Sequence, residues 1–184
     1  MTPMVLTFAG KIASGKSTLS RHVATALNWP WTSFGDYVRA EAQRQGMNPN
    51  SRPVLQQVSD QILGRGWHPF CRAVLETAQW TDRTNIVLDG VRHSEALTTL
   101  RDIVFPHRVA LVFVNTPDIL RKERLQGRGM VSENLQVSEH HASELQARTT
   151  LINAADLIID GTLSIDEATH GVIDWLSQPS PGKS

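Results

Sequence analysis

The chain has 184 residues, a formal charge that balances to zero and a single cysteine, Cys71. Charge balance removes any global electrostatic case for a nucleic-acid polymer or an anionic membrane, and one cysteine excludes an internal disulfide or a multi-cysteine zinc site. No apolar stretch approaches the ~20 residues of a membrane span, and the N-terminus enters a strand without a signal-peptide pattern, so a cytoplasmic α/β domain is expected.

The first element is an apolar run, Val5–Ala9, read as a buried strand. Behind it, Gly10-Lys11-Ile12-Ala13-Ser14-Gly15-Lys16-Ser17 fits G-x-x-x-x-G-K-[ST], the P-loop pattern, and a helix is expected over Lys16–Leu27. Glycines at such a turn let backbone N–H groups curl around phosphate oxygens, and the helix dipole adds positive charge at the same place. Gly10, Ala13, Ser14, Gly15, Lys16, Ser17 and Thr18 are therefore expected to hold ATP, with Lys16 on the β/γ-phosphates and Ser17 on Mg²⁺.

A weaker strand is expected at Trp31–Phe34, then helices over Tyr37–Gln45, Pro53–Gly64 and Pro69–Ala78. This helical excursion, residues 35–80, suits an acceptor-binding insertion. The strand Asn85–Asp89 ends in a carboxylate, as a Walker B segment does, so Asp89 is expected to support Mg²⁺. An Asp-Gly turn is the plainer alternative. A helix over Ser94–Asp102 and a strand over Arg108–Val114 come next, then a helix over Pro117–Gln126 with Thr116 as its N-cap. Arg121, Arg124 and Arg128 recur at i, i+3 and i+7 and can share one helix face, whereas Lys122 reads as solvent-facing. Glu139-His140-His141 lacks the H-E-x-x-H spacing of a zinc protease. An interaction with the acceptor or with neighbouring arginines suits that segment better, Glu144 included. Arg148 lies on a helix expected over Ser138–Asn153 and offers another phosphate contact. A last strand, Asp156–Asp160, leads to a capping box, Ser164-x-x-Glu167, and a helix ending near Trp175.

Alternating strands and helices predict a doubly wound α/β fold, a five-stranded parallel sheet in three α/β/α layers. Residues 1–176 form one domain in this reading, and 177–184 a disordered tail. Cys71 and the five tryptophans read as packing residues, although Trp67 in the helical insertion also suits stacking on an acceptor base.

Several segments resemble the P-loop nucleoside monophosphate kinases and their relatives. Thr32-Ser33-Phe34-Gly35-Asp36-Tyr37-Val38-Arg39 is similar to the S-T-G-D-x-x-R segment of adenylate kinases, with Phe34 where Thr is common. The resemblance implies that Arg39 holds the acceptor phosphate, and an arginine one turn into a helix can indeed present a planar fork to that anion. Asp36 stays open between a helix cap and a functional carboxylate, a general base if the acceptor is a hydroxyl. Asp89-Gly90-Val91-Arg92 resembles the D-G-[VI]-R of dephospho-coenzyme A kinase-like enzymes, which implies an acceptor role for Arg92. The run from Arg121 to Gly129 is similar to the E-R-L-x-x-R entrance to the LID of nucleotide kinases, residues 121–150 here. There, arginines at the positions of Arg124 and Arg128 close over ATP and stabilise the transferring phosphoryl group; a solvated basic face is the alternative. Ala154 to Thr162 resembles the A-D-x-V-I-x-N-x-G segment of dephospho-coenzyme A kinases, which implies that Gly161 and Thr162 lie along adenine.

What these resemblances imply is an ATP- and Mg²⁺-dependent small-molecule kinase. The favoured acceptor is a nucleoside or deoxynucleoside monophosphate, with dephospho-coenzyme A as the alternative. A P-loop ATPase switch that holds a protein on its helical arm is the reading from a different class.

Overall fold

The computed structural model describes residues 3–127 and 149–178. Five parallel strands form its centre: β1 (Met4–Gly10), β2 (Trp31–Ser33), β3 (Ile86–Val91), β4 (Arg108–Asn115) and β5 (Leu157–Asp160), in the order β2-β3-β1-β4-β5. The strands are near-continuous apolar runs because both faces are covered. Side chains alternate between the faces. Val5, Ala9, Ile86, Leu88, Leu111 and Phe113 pack toward one helical layer, and Leu6, Phe8, Val87, Ala110 and Val112 toward the other.

The first layer contains α2 (Phe34–Arg44), α3 (Arg52–Leu63), α4 (Trp67–Thr77) and α5 (Ser94–Val104). The second contains α1 (Lys16–Leu27) and α7 (Ile165–Ser177), while α6 (Asp118–Gln126) follows β4 and residues 149–153 are helical. The three-layer sheet expected from the alternation is present, and residues 35–80 are helical apart from their connections.

Two local expectations are corrected. Thr116 does not cap α6: Pro117 takes the cap position, and the Thr116 hydroxyl donates to Ser14 O at 2.9 Å. The last helix runs through Ser177, whose hydroxyl donates to Ile173 O at 3.0 Å, so Ser177 is helical and not part of the expected tail; residues 179–184 lie outside the described residues. Arg128, Glu139, His140, His141, Glu144 and Arg148 lie outside the described residues.

β1 sits between β3 and β4, so the chain leaves its carboxyl end on one side and later returns on the other. Ligands in open α/β sheets bind in the crevice at such a switch point. The P-loop opens from that end of β1.

Candidate active site

The turn after β1 is tight enough to require its glycines. Gly10 has φ +151°, and a Cβ there would lie 2.7 Å from Val114 O and 2.8 Å from Ser14 Oγ. Gly15, at φ +93°, occupies the N-cap of α1. Lys16 is almost buried at the helix start.

Three successive carbonyls of the loop are tied from outside. Arg121 Nε donates to Ile12 O at 2.8 Å, and Arg124 Nη1 reaches Ala13 O at 3.4 Å and Ser14 O at 3.0 Å. Thr116 gives Ser14 O a second bond. Such ties fix the peptide planes, so the loop needs little reorganisation to receive an anion on its amide side. Arg124 also donates through Nη2 to Gly161 O at 2.9 Å, joining the loop to the segment after β5. Arg121 is itself buried and bonds Asp118 at 2.7 Å, where Lys11 Nζ makes a second 2.7 Å contact. The hydrogen bond from Lys11, reinforced by Arg121, holds the Asp118 carboxyl below the usual aspartate range. The helix-face periodicity groups Arg121 with Arg124, but only the folded contact reveals the grip of both on the loop.

At the mouth of the sheet the Ser17 hydroxyl donates to Asp89 Oδ2 at 2.6 Å. Asp89 is buried, and its Oδ1 has no hydrogen-bond partner among the described residues. A buried carboxylate oxygen left unpaired is costly unless something else occupies that place. The donor set, one hydroxyl and one carboxylate beside a phosphate loop, fits Mg²⁺, a hard cation that keeps several waters and takes few protein oxygens. Asp89 is turned to this position by a bulge: Phe8 pairs with Asp89 and Ala9 with Val91, which leaves Gly90, at φ +90°, as the extra residue.

On the β2 side, Ser33 caps α2 by accepting from Asp36 N at 3.0 Å, so Asp36 is not the helix cap. Its Oδ1 accepts from Arg39 Nη1 at 2.7 Å and its Oδ2 from Arg21 Nη2 at 3.1 Å. Gly90 lies against Gly35, with a built Cβ 4.0 Å from Gly35 N, so the α2 start meets the end of β3. Arg92 follows β3 directly and is exposed. Trp67 lies 5.1 Å from the His93 ring and 6.3 Å from Phe70, in an aromatic cluster with Phe34 and Tyr37. Beyond β5, Thr162 donates through N and Oγ1 to Asp160 Oδ1 at 2.9 and 2.8 Å, and these bonds hold the Asp160 carboxyl below its usual range. Thr18 is exposed one residue beyond Ser17.

The structure thus brings Gly10, Ala13, Ser14, Gly15, Lys16, Ser17, Asp89, Arg124 and Gly161 to one end of the sheet. Sequence reasoning missed Arg21, which stacks its guanidinium 3.6 Å from the centre of the Trp31 ring. Its position four residues after Ser17, on the same helix face, is the signal that was available.

Comparison with known proteins supplies the context for this geometry. A family model described as an AAA domain matches residues 6–146. A UPF0200 protein of Pyrobaculum aerophilum is 31% identical over 89% of this chain and 91% of its own length. A cytidylate kinase of Haloarcula marismortui is 41% identical over 32% of the chain and 31% of its own. Among solved structures, a shikimate kinase from Bacteroides thetaiotaomicron superposes with a TM-score of 0.60 at 17% identity, covering 95% of this chain and 99% of that one.

Proposed function

The chain belongs to the AAA-domain family whose model spans most of it and to the UPF0200 proteins, and from that premise we propose that it is a small P-loop kinase, transferring the γ-phosphoryl group of ATP to a small nucleotide-like acceptor, most simply a nucleoside or deoxynucleoside monophosphate. The observation that carries the reading is the Ser17–Asp89 pair at 2.6 Å, with the second Asp89 oxygen buried and unpaired.

Phosphoryl transfer asks the protein mainly to position two anions and offset the charge between them. The loop amides and the α1 dipole take the donor phosphates, and Lys16 balances charge on the β/γ oxygens. Ser17 and Asp89 hold Mg²⁺, which neutralises the donor phosphates when bound. Arg124 keeps the loop in its receiving form and stands 3.4 Å from where a Gly15 Cβ would be. Arg39 and Arg92 are the acceptor-phosphate ligands in this proposal, and Arg128 and Arg148 belong to it as further phosphate contacts. Gly161 and Thr162 border the adenine side.

A hydroxyl acceptor, dephospho-coenzyme A among them, calls for a general base. Asp36 is the candidate for that role, yet both of its oxygens already accept from guanidinium groups, which favours a phosphate acceptor. Following γ-labelled ATP through incubations with single acceptors tests the reading. Label recovered on a phosphorylated acceptor supports it, and label released only as inorganic phosphate points to the ATPase switch.

A further inference from the structure

Arg21 stands in no phosphate-binding motif, yet it lies one turn beyond Ser17 on the same face of α1. Three contacts define its place. The guanidinium lies over the Trp31 ring at 3.6 Å, Trp31 Nε1 is fixed by donating to Ser20 Oγ at 3.0 Å, and Nη2 bonds Asp36 Oδ2 at 3.1 Å. The other Asp36 oxygen holds Arg39, whose Nη1 lies 3.4 Å from where a Gly35 Cβ would be. Two half-exposed guanidinium groups thus flank one carboxylate, and Gly35 packs on Gly90, next to Asp89. A groove of about 240 Å³ lined by Ser17, Thr18, Arg21 and His22 runs along α1 at Arg21.

Each guanidinium carries five N–H donors and gives one nitrogen to Asp36, so donors remain for a second anion. Stacking on Trp31 fixes the plane of Arg21 beforehand, which reduces the entropy lost when that anion arrives. Asp36 acts as the spacer that sets the separation of the two forks. We propose that Arg21 adds a second arm beside Arg39, whose acceptor-phosphate role the kinase resemblance already implies, so that selection of a phosphomonoester over a neutral polyol rests on a two-armed clamp and not on Arg39 alone. The word acceptor here rests on the kinase reading above; the anion site itself does not.

The test uses the full chain saturated with Mg²⁺ and ADP, so that the P-loop is filled, and titrates inorganic phosphate while following tryptophan emission. Trp31→Phe identifies the part of the signal that comes from beneath Arg21. A saturable change is expected in the wild type, absent in Trp31→Phe, with affinity weakened at least about tenfold in Arg21→Met and in Arg39→Met, the scale of one lost charged hydrogen bond. Arg21→Gln, closer in polarity, serves if the Met variant does not fold, and thermal melting reports which variants are native. Glycerol, a neutral polyol, should leave the emission unchanged. No saturable change in the wild type, or phosphate affinity within about twofold of wild type in the Arg21 variants, overturns the clamp. If phosphate binds as expected but no acceptor stimulates ADP formation, the kinase reading fails and the clamp stands. If turnover is intact and Arg21→Met binds phosphate normally, the clamp alone fails.

Discussion

At the scale of single residues, the two oxygens of Asp89 differ. Oδ2 accepts from the Ser17 hydroxyl, whereas Oδ1 is buried with no hydrogen-bond partner among the described residues, the place that the proposed Mg²⁺ would take. Asp89→Asn can still accept from Ser17 but loses the negative charge, so the Mg²⁺ requirement should rise about 10–100-fold, read from initial rates against Mg²⁺ concentration. Gly10 makes a structural prediction. A methyl group at φ +151°, 2.7 Å from Val114 O, forces the loop off β4, and Gly10→Ala should cost about 2 kcal/mol or more in a denaturant titration. The P-loop residues were legible in the sequence because their identities and spacing are local properties of one turn. Arg21 was not, because its meaning depends on Trp31 and Asp36, brought beside it only when β2 and α2 dock.

At the scale of elements, α6 works as a brace for the phosphate loop. Arg121→Met removes the bond to Ile12 O from a buried position, which should cost about 1–3 kcal/mol, and a looser loop should also raise the KM for ATP. Chemical denaturation and an ATP titration of the same variant check both parts. In α2, Glu41 accepts two bonds from Arg44, at 2.9 and 2.7 Å, and one from Gln45 at 2.8 Å. These bonds, Arg44 first, bring the Glu41 pKa down from 4.5 to about 2. The folded form therefore binds the proton less readily than the unfolded chain. The stabilisation is complete above the unfolded pKa and is lost as pH falls from about 5 toward 2. Glu41→Gln should flatten that part of the melting-temperature profile, and a profile identical to wild type between pH 5 and 2 would rule out the Glu41 contribution. Element types were legible from periodicity, and the start of α1 from its motif. The Thr116 cap was misread because an N-cap threonine and a threonine donating to a distant carbonyl look alike in sequence; Ser14 O, 102 residues away, decides between them.

For the whole molecule, alternating strands and helices made a parallel three-layer sheet readable in advance, but the order β2-β3-β1-β4-β5 comes from tertiary pairing. That order puts the P-loop, the Asp89 bulge and the α2 start around one crevice, the place where the donor and acceptor of the proposed reaction would meet. The aromatic cluster of Trp67, Phe70, Tyr37 and Phe34 joins α2 to α4 and keeps these two helices together. The measurement that bears most directly on the kinase reading is the initial rate of ADP formation from ATP and Mg²⁺. Single nucleoside monophosphates, deoxynucleoside monophosphates and dephospho-coenzyme A serve in turn as acceptor, with Lys16→Ala as the blank. Strong stimulation by a phosphate-bearing acceptor, lost by at least about 10²-fold in the blank, is the predicted result. A slow rate indifferent to every acceptor would contradict it.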